Sequence, residues 1–127
     1  MGTDRRDFLG TLLVAGLAPK MSASSPAVAM RGALQRGDWD DVGRQIAIEW
    51  DNRKRLAPGV TTTTIETLIA RATAAGATGA KVCGAGGGGC LFCYGPPTAR
   101  QAIAEALAAG GARLLDFRIE AEGLRLG

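Results

Sequence analysis

The sequence predicts an α+β domain: a small antiparallel sheet covered by helices that pack on one face. Three observations carry this reading. Helical periodicity fills three segments between residues 27 and 75. Two short apolar runs, 80–83 and 90–94, are joined by a glycine-rich loop, and strands joined so closely are antiparallel neighbours. A last segment, 113–121, alternates apolar and polar residues with the period of a strand.

The elements follow in order. Residues 27–36 read as a helix with Val28, Met30 and Leu34 at its apolar positions, closed by Gly37. Asp38 is a good N-cap for a second helix. Trp39 stands at its first position, and Asp40 and Asp41 lie in the positively polarised first turn. Val42, Ile46 and Trp50 follow at i, i+4 spacing and Arg53 at i+3 from Trp50, with Ile48 and Leu56 widening the apolar face, and the helix ends before Pro58-Gly59. The threonines at 61–64 supply caps for a third helix over 63–75, with Ile65, Leu68, Ile69 and Ala72 as its buried stripe. Gly76 closes it. Strands 80–83 and 90–94 come next, then a Gly95-Pro96-Pro97 turn. Thr98 caps a helix over 99–109, and strand 113–121 presents Leu115, Phe117 and Ile119 on one side.

Composition bounds the function. The chain has 127 residues, enough for one domain with a modest core. A formal net charge of +3, with arginines scattered, is too mild to point to nucleic acid. There is no histidine, so the commonest metal ligand and the usual general base are missing. The three cysteines, Cys83, Cys90 and Cys93, make no complete disulfide framework and, without histidine, no zinc site. Cys90 and Cys93 form a CxxC in a strand-like run, which puts them on opposite faces; buried structural thiols in a reducing compartment are expected.

Residues 1–26 read as a leader or extra segment ahead of a domain at 27–127. Arg5-Arg6-x-Phe8-Leu9, followed by TLLVAGLA, looks like a twin-arginine export signal with Ala27-Val28-Ala29 as a cleavage site. Asp4 in place of Ser or Thr weakens the match. The alternative is an amphipathic or poorly ordered extension of a cytoplasmic protein, and the apolar stretch is too short to span a bilayer as a mature helix.

The most distinctive stretch is GAKVCGAGGGGCLFCY, residues 79–94. Glycines at this density let another group approach the main chain, and consecutive unobstructed N–H groups form a concave anion site. A flexible hairpin turn is the plainer alternative. The loop is neither a GxxxxGK[ST] phosphate loop nor a dinucleotide fingerprint, since a strand-like run follows it.

This stretch resembles the third, glycine-rich motif of the GHMP kinases, close to GAK-x-x-GAGGGG followed by a strand. The resemblance runs from about Met30 to the C-terminus, through PGVTT and the IE-containing helix to a closing FR-x-x-x-EG-x-R carried by Arg118, Glu122, Gly123 and Arg125. It is most like the sugar-kinase branch that includes heptose-7-phosphate kinases. The resemblance implies ATP- and Mg²⁺-dependent phosphoryl transfer to a sugar or sugar-phosphate hydroxyl. It places Gly84, Ala85, Gly86, Gly87, Gly88 and Gly89 near the nucleotide phosphates. Lys81 either adds a positive charge nearby or is an exposed strand lysine. Arg53, Lys54 and Arg55 either face an anionic sugar phosphate or form a solvated helix end, the second being preferred for at least two of them. Thr61 and Thr62 either hydrogen-bond a sugar or cap the helix.

One departure limits the reading. The PxxxGLGSSA-type motif that holds ATP phosphates, and the Asp and Lys that activate the hydroxyl in many members, have no counterpart in these 127 residues. The expectation is a C-terminal kinase half, inactive alone and holding no ATP or Mg²⁺ tightly. It would pair with an N-terminal half or a second copy. The competing expectations are a non-catalytic sugar-phosphate-binding module and an exported remnant.

Overall fold

The computed structural model describes residues 25–127, so the expected leader and its twin-arginine-like motif lie outside the described residues. Helix α1 (Pro26–Arg36) starts where Ser25 accepts the Val28 N–H through its hydroxyl, with Pro26 in the first turn. Gly37, at φ 66°, ends it in the left-handed conformation. Asp38 then caps α2 (Trp39–Arg53) by accepting the Asp41 N–H at 3.1 Å.

The α1–α2 corner is fixed by one carboxylate. Asp41 is only 9% exposed. It accepts from Arg36 Nη2, Arg44 Nη1 and Gln45 Nε2, each at 3.1 Å. These donors repay its desolvation. Beneath it Ala33, Val42 and Ile46 form one core cluster with Met30 and Tyr94. Val28 and Leu34, expected on the apolar face of α1, are instead exposed, because α1 buries the Met30–Ala33 side. Ile48 and Leu56 are also exposed: Ile48 lies off the Val42–Ile46–Trp50 line, and Leu56 falls beyond the helix end.

Helix α3 (Thr63–Ala74) buries Ile65, Leu68 and Ala72, as its periodicity predicts, with Ile69 partly covered. Strands β1 (Gly79–Cys83) and β2 (Cys90–Tyr94) pair antiparallel, from Gly79 opposite Tyr94 to Cys83 opposite Cys90. Helices meet both faces of β1 rather than one. At Gly79 a Cβ would stand 2.4 Å from the Gly43 carbonyl oxygen and 2.9 Å from Ile46 Cβ, so α2 lies almost in contact with the strand backbone. On the alternate side, Val82 packs with Trp50 and Ile65. Ala72, Ala77 and Ile103 make a third cluster with Cys93.

After β2, a 3-10 turn (Pro97–Ala99) leads into α4 (Arg100–Ala109). The expected Thr98 cap is not used; Thr98 sits inside the 3-10 turn, and Ala99 occupies the cap position without a side-chain bond. The expected third strand does not form. The described sheet has two strands, and residues 113–121 carry no ladder. Leu115, Phe117 and Ile119 stand 54%, 78% and 89% exposed. Their alternation describes a strand's faces, but a strand also needs an edge to bond to, and this segment has none among the described residues. No described helix is long and apolar enough to cross a membrane.

Candidate functional site

The six-residue glycine loop joins the ends of the hairpin. It leans on the turn that precedes α3. At Gly86, φ is 101°, and a Cβ there would lie 2.5 Å from the Val60 carbonyl oxygen and 2.9 Å from Val60 Cα. One residue on, the Gly87 N–H donates to that same Val60 carbonyl at 2.9 Å. Only glycine combines a positive φ with this contact. From the other side Arg53, at the end of α2, donates through Nη2 to the Gly84 carbonyl. The loop is therefore held at both ends of its first half.

Its second half lines a cavity of about 440 Å³. Gly87, Gly88 and Gly89 form one wall, and Thr62, Thr64 and Ile65 from the start of α3 form the facing one. Leu68, Val82, Cys90 and Leu91 complete the lining. Thr62 Oγ1 accepts the Ile65 N–H at 3.2 Å, so it is the N-cap of α3. A helix N-terminus carries unsatisfied N–H groups and a partial positive charge. The α3 N-terminus faces the Gly88–Gly89 main chain across this cavity, while the Gly87 N–H is taken by the Val60 carbonyl.

Of the residues predicted to act, Gly87, Gly88, Gly89 and Thr62 share this cavity, while Gly84 and Gly86 hold the loop to Arg53 and Val60. Ala85 lies in the exposed part of the loop. Lys81 is placed elsewhere: its ammonium ion-pairs with Glu49 of α2. Thr61 donates to Glu66 Oε1 at 2.6 Å. Lys54 bridges Asp51 at 2.9 Å and Glu66 at 3.6 Å, and Arg55 is exposed. The hydrogen bond to Asp51 raises the Lys54 pKa above its ordinary value, with burial opposing and the charge of Glu66 adding to the rise. Thr64 went unpredicted as a lining residue; the four-threonine run signalled capping, and only the helix phase shows that its second turn position faces the loop.

The cysteines depart from expectation. Cys83 and Cys90 are exposed at the loop end of the hairpin, and only Cys93 points into a core cluster. Burial pushes the Cys93 thiol up to about 11. No group of three or more His, Cys, Asp or Glu is placed to hold a metal ion among the described residues. These side chains therefore do not fit a Mg²⁺ site of their own.

Comparison with known proteins converges on one family. Residues 30–113 match the family described as GHMP kinases C terminal. Mevalonate kinase from Pyrococcus abyssi is 43% identical over 70 residues, covering 55% of this chain and 21% of that protein. The D-glycero-alpha-D-manno-heptose 7-phosphate kinase of Campylobacter jejuni is 28% identical over 99 residues, covering 78% of this chain and 29% of that protein. The crystal structure of L. major mevalonate kinase in complex with R-mevalonate superposes with a TM-score of 0.59 at 28% identity, over 66% of this chain and 26% of that one. The chain thus spans between about a fifth and under a third of the proteins it matches.

Proposed function

The chain belongs to the GHMP kinase C-terminal domain family, and from that premise we propose that it supplies the phosphate-facing wall of an ATP-dependent kinase for a sugar or sugar phosphate. The carrying observation is the convergence of Gly87, Gly88 and Gly89 with the α3 N-terminus on one cavity. Phosphoryl transfer asks chiefly for positioning and for donors aimed at the charge on the transferred group. Main-chain N–H groups held in a fixed loop provide such donors without reorganising during the reaction. Here the Val60 and Arg53 contacts fix the first half of the loop, as far as Gly87, and Thr62 and Thr64 add hydroxyls on the wall opposite its second half. Mg²⁺, when bound with the nucleotide, neutralises phosphate charge, and its ligands come from outside this set of residues.

The related proteins act on mevalonate and on heptose 7-phosphate, both of them anionic alcohols by name. The heptose kinase match extends over more of the chain, which favours a sugar phosphate as acceptor. The 127-residue polypeptide by itself is proposed to bind phosphate-bearing ligands weakly and to turn over no ATP, because no group of acidic side chains among the described residues is placed to hold the metal ion.

The test is a titration of the ¹⁵N-labelled chain with an ATP analogue and, separately, with heptose 7-phosphate. Saturable shifts confined to the amides of Gly87–Gly89 and Thr62–Thr64 are expected. Shifts scattered over the exposed arginines, or none at all, overturn the assignment. Shifts with the sugar phosphate alone would favour a non-catalytic sugar-phosphate-binding module. Robust ADP release by the chain alone would refute its inactivity.

A further inference from the structure

The two exposed cysteines bracket the glycine loop and occupy opposite positions of the last ladder pair, Cys83 against Cys90. Directly opposed residues of an antiparallel pair project to the same face with Cα atoms about 4.5 to 5.5 Å apart. A disulfide needs about 4.4 to 6.8 Å. We infer that Cys83 and Cys90 form a reversible modification site, a cross-strand disulfide that closes the mouth of the glycine loop.

Both thiols are open to a small-molecule oxidant. Cys93 does not compete: it projects to the other face of β2, among Ala72, Ala77 and Ile103, and burial keeps it protonated. The oxidant is a low-molecular-weight disulfide such as oxidised glutathione. The Cys90 thiolate attacks one sulfur of that disulfide, forms a mixed disulfide and releases one glutathione thiolate. The Cys83 thiolate then attacks Cys90 Sγ and expels the second. The cysteines lose two electrons, which reduce the glutathione disulfide, and their two protons pass to the two released thiolates.

The consequence falls on the loop. In the reduced protein its first half is held by the Arg53 and Val60 contacts, while Gly88 and Gly89 have open space around them. A covalent tie between its two ends narrows the conformations those residues can reach. Oxidation would therefore set how readily the Gly87–Gly89 wall adapts to a ligand. The disulfide itself does not depend on what that ligand is.

The experiment treats the full chain with oxidised glutathione, counts free thiols and follows amide exchange across the loop. Free thiols are expected to fall from three to one, in a monomer lighter by two hydrogens. Exchange at residues 84–89 should slow, and a reducing thiol should restore both readings. C93S should behave like the wild type, and C83S and C90S should stop at a glutathione adduct. An intramolecular disulfide that persists in C83S would assign the bond to Cys90 and Cys93 and overturn the proposal. Glutathione adducts or linked dimers in the wild type would also overturn it, as would unchanged loop exchange in the oxidised monomer. No arm uses a nucleotide or a sugar phosphate, so failure here leaves the kinase reading separately testable.

Discussion

Alanine at position 86 tests whether the loop is a built wall or an ordinary turn. Gly86 has φ at 101°, where an L-residue is strained by about 1–3 kcal/mol. Its added Cβ would also meet the Val60 carbonyl oxygen at 2.5 Å and Val60 Cα at 2.9 Å. Both are backbone atoms, so no side chain can swing aside. The loop must lift off, and the Gly87 N–H bond to Val60 is lost, worth about 1 kcal/mol. Gly84 is the matched control: its φ is 87°, yet nothing lies within 4 Å of an added Cβ. G84A therefore pays for conformation alone. We expect G86A to be the less stable by about 1 kcal/mol or more in urea unfolding, with the Gly87 amide exchanging far faster. Equal stabilities, with Gly87 still protected in G86A, would refute the docked-loop geometry.

Three further outcomes follow from the same contacts. D41A removes the acceptor shared by Arg36, Arg44 and Gln45 and should cost about 1–3 kcal/mol in chemical denaturation; a loss below experimental error would mean that the α1–α2 corner is held by packing alone. R53M removes the donor to Gly84 and should accelerate exchange in the loop with little change in the urea midpoint. Cys93 has a folded pKa raised by burial to about 11 from an ordinary 9.0, and Lys54 is raised by Asp51 from 10.5. Each contributes stability that is full below the ordinary value and lost as pH climbs through the raised one. The alkaline limb of the stability profile should therefore fall, and it should fall less in C93A and K54M; identical limbs in all three proteins would contradict the assignment.

The sequence carried most helices because each has a local signature. Asp38, Thr62 and Gly37 do at their termini what their side chains and permitted φ predict. The Val42–Ile46–Trp50 line likewise reads directly as a buried face. What stayed hidden depends on partners far along the chain. Lys81 looks available in sequence, but α2 brings Glu49 to it across 32 residues, and the pair spends the charge locally. Cys83 and Cys90 read as core thiols until the register puts them at the hairpin's exposed loop end.

Residues 113–121 show the same limit from the opposite direction. Their alternation is as regular as any in the chain, and the segment nonetheless stands exposed. Burying Leu115, Phe117 and Ile119 would each return roughly 1.5–3 kcal/mol, but ordering the nine backbones costs about 1–2 kcal/mol apiece. Three apolar side chains cannot offset that without a ladder and a covering layer. The glycine loop meets the opposite condition. It has almost no side chains to bury, yet it is ordered, because Arg53 and Val60 reach its main chain directly. Order in this domain follows from which groups find partners, and the cavity wall exists where backbone bonds supply what hydrophobic burial does not.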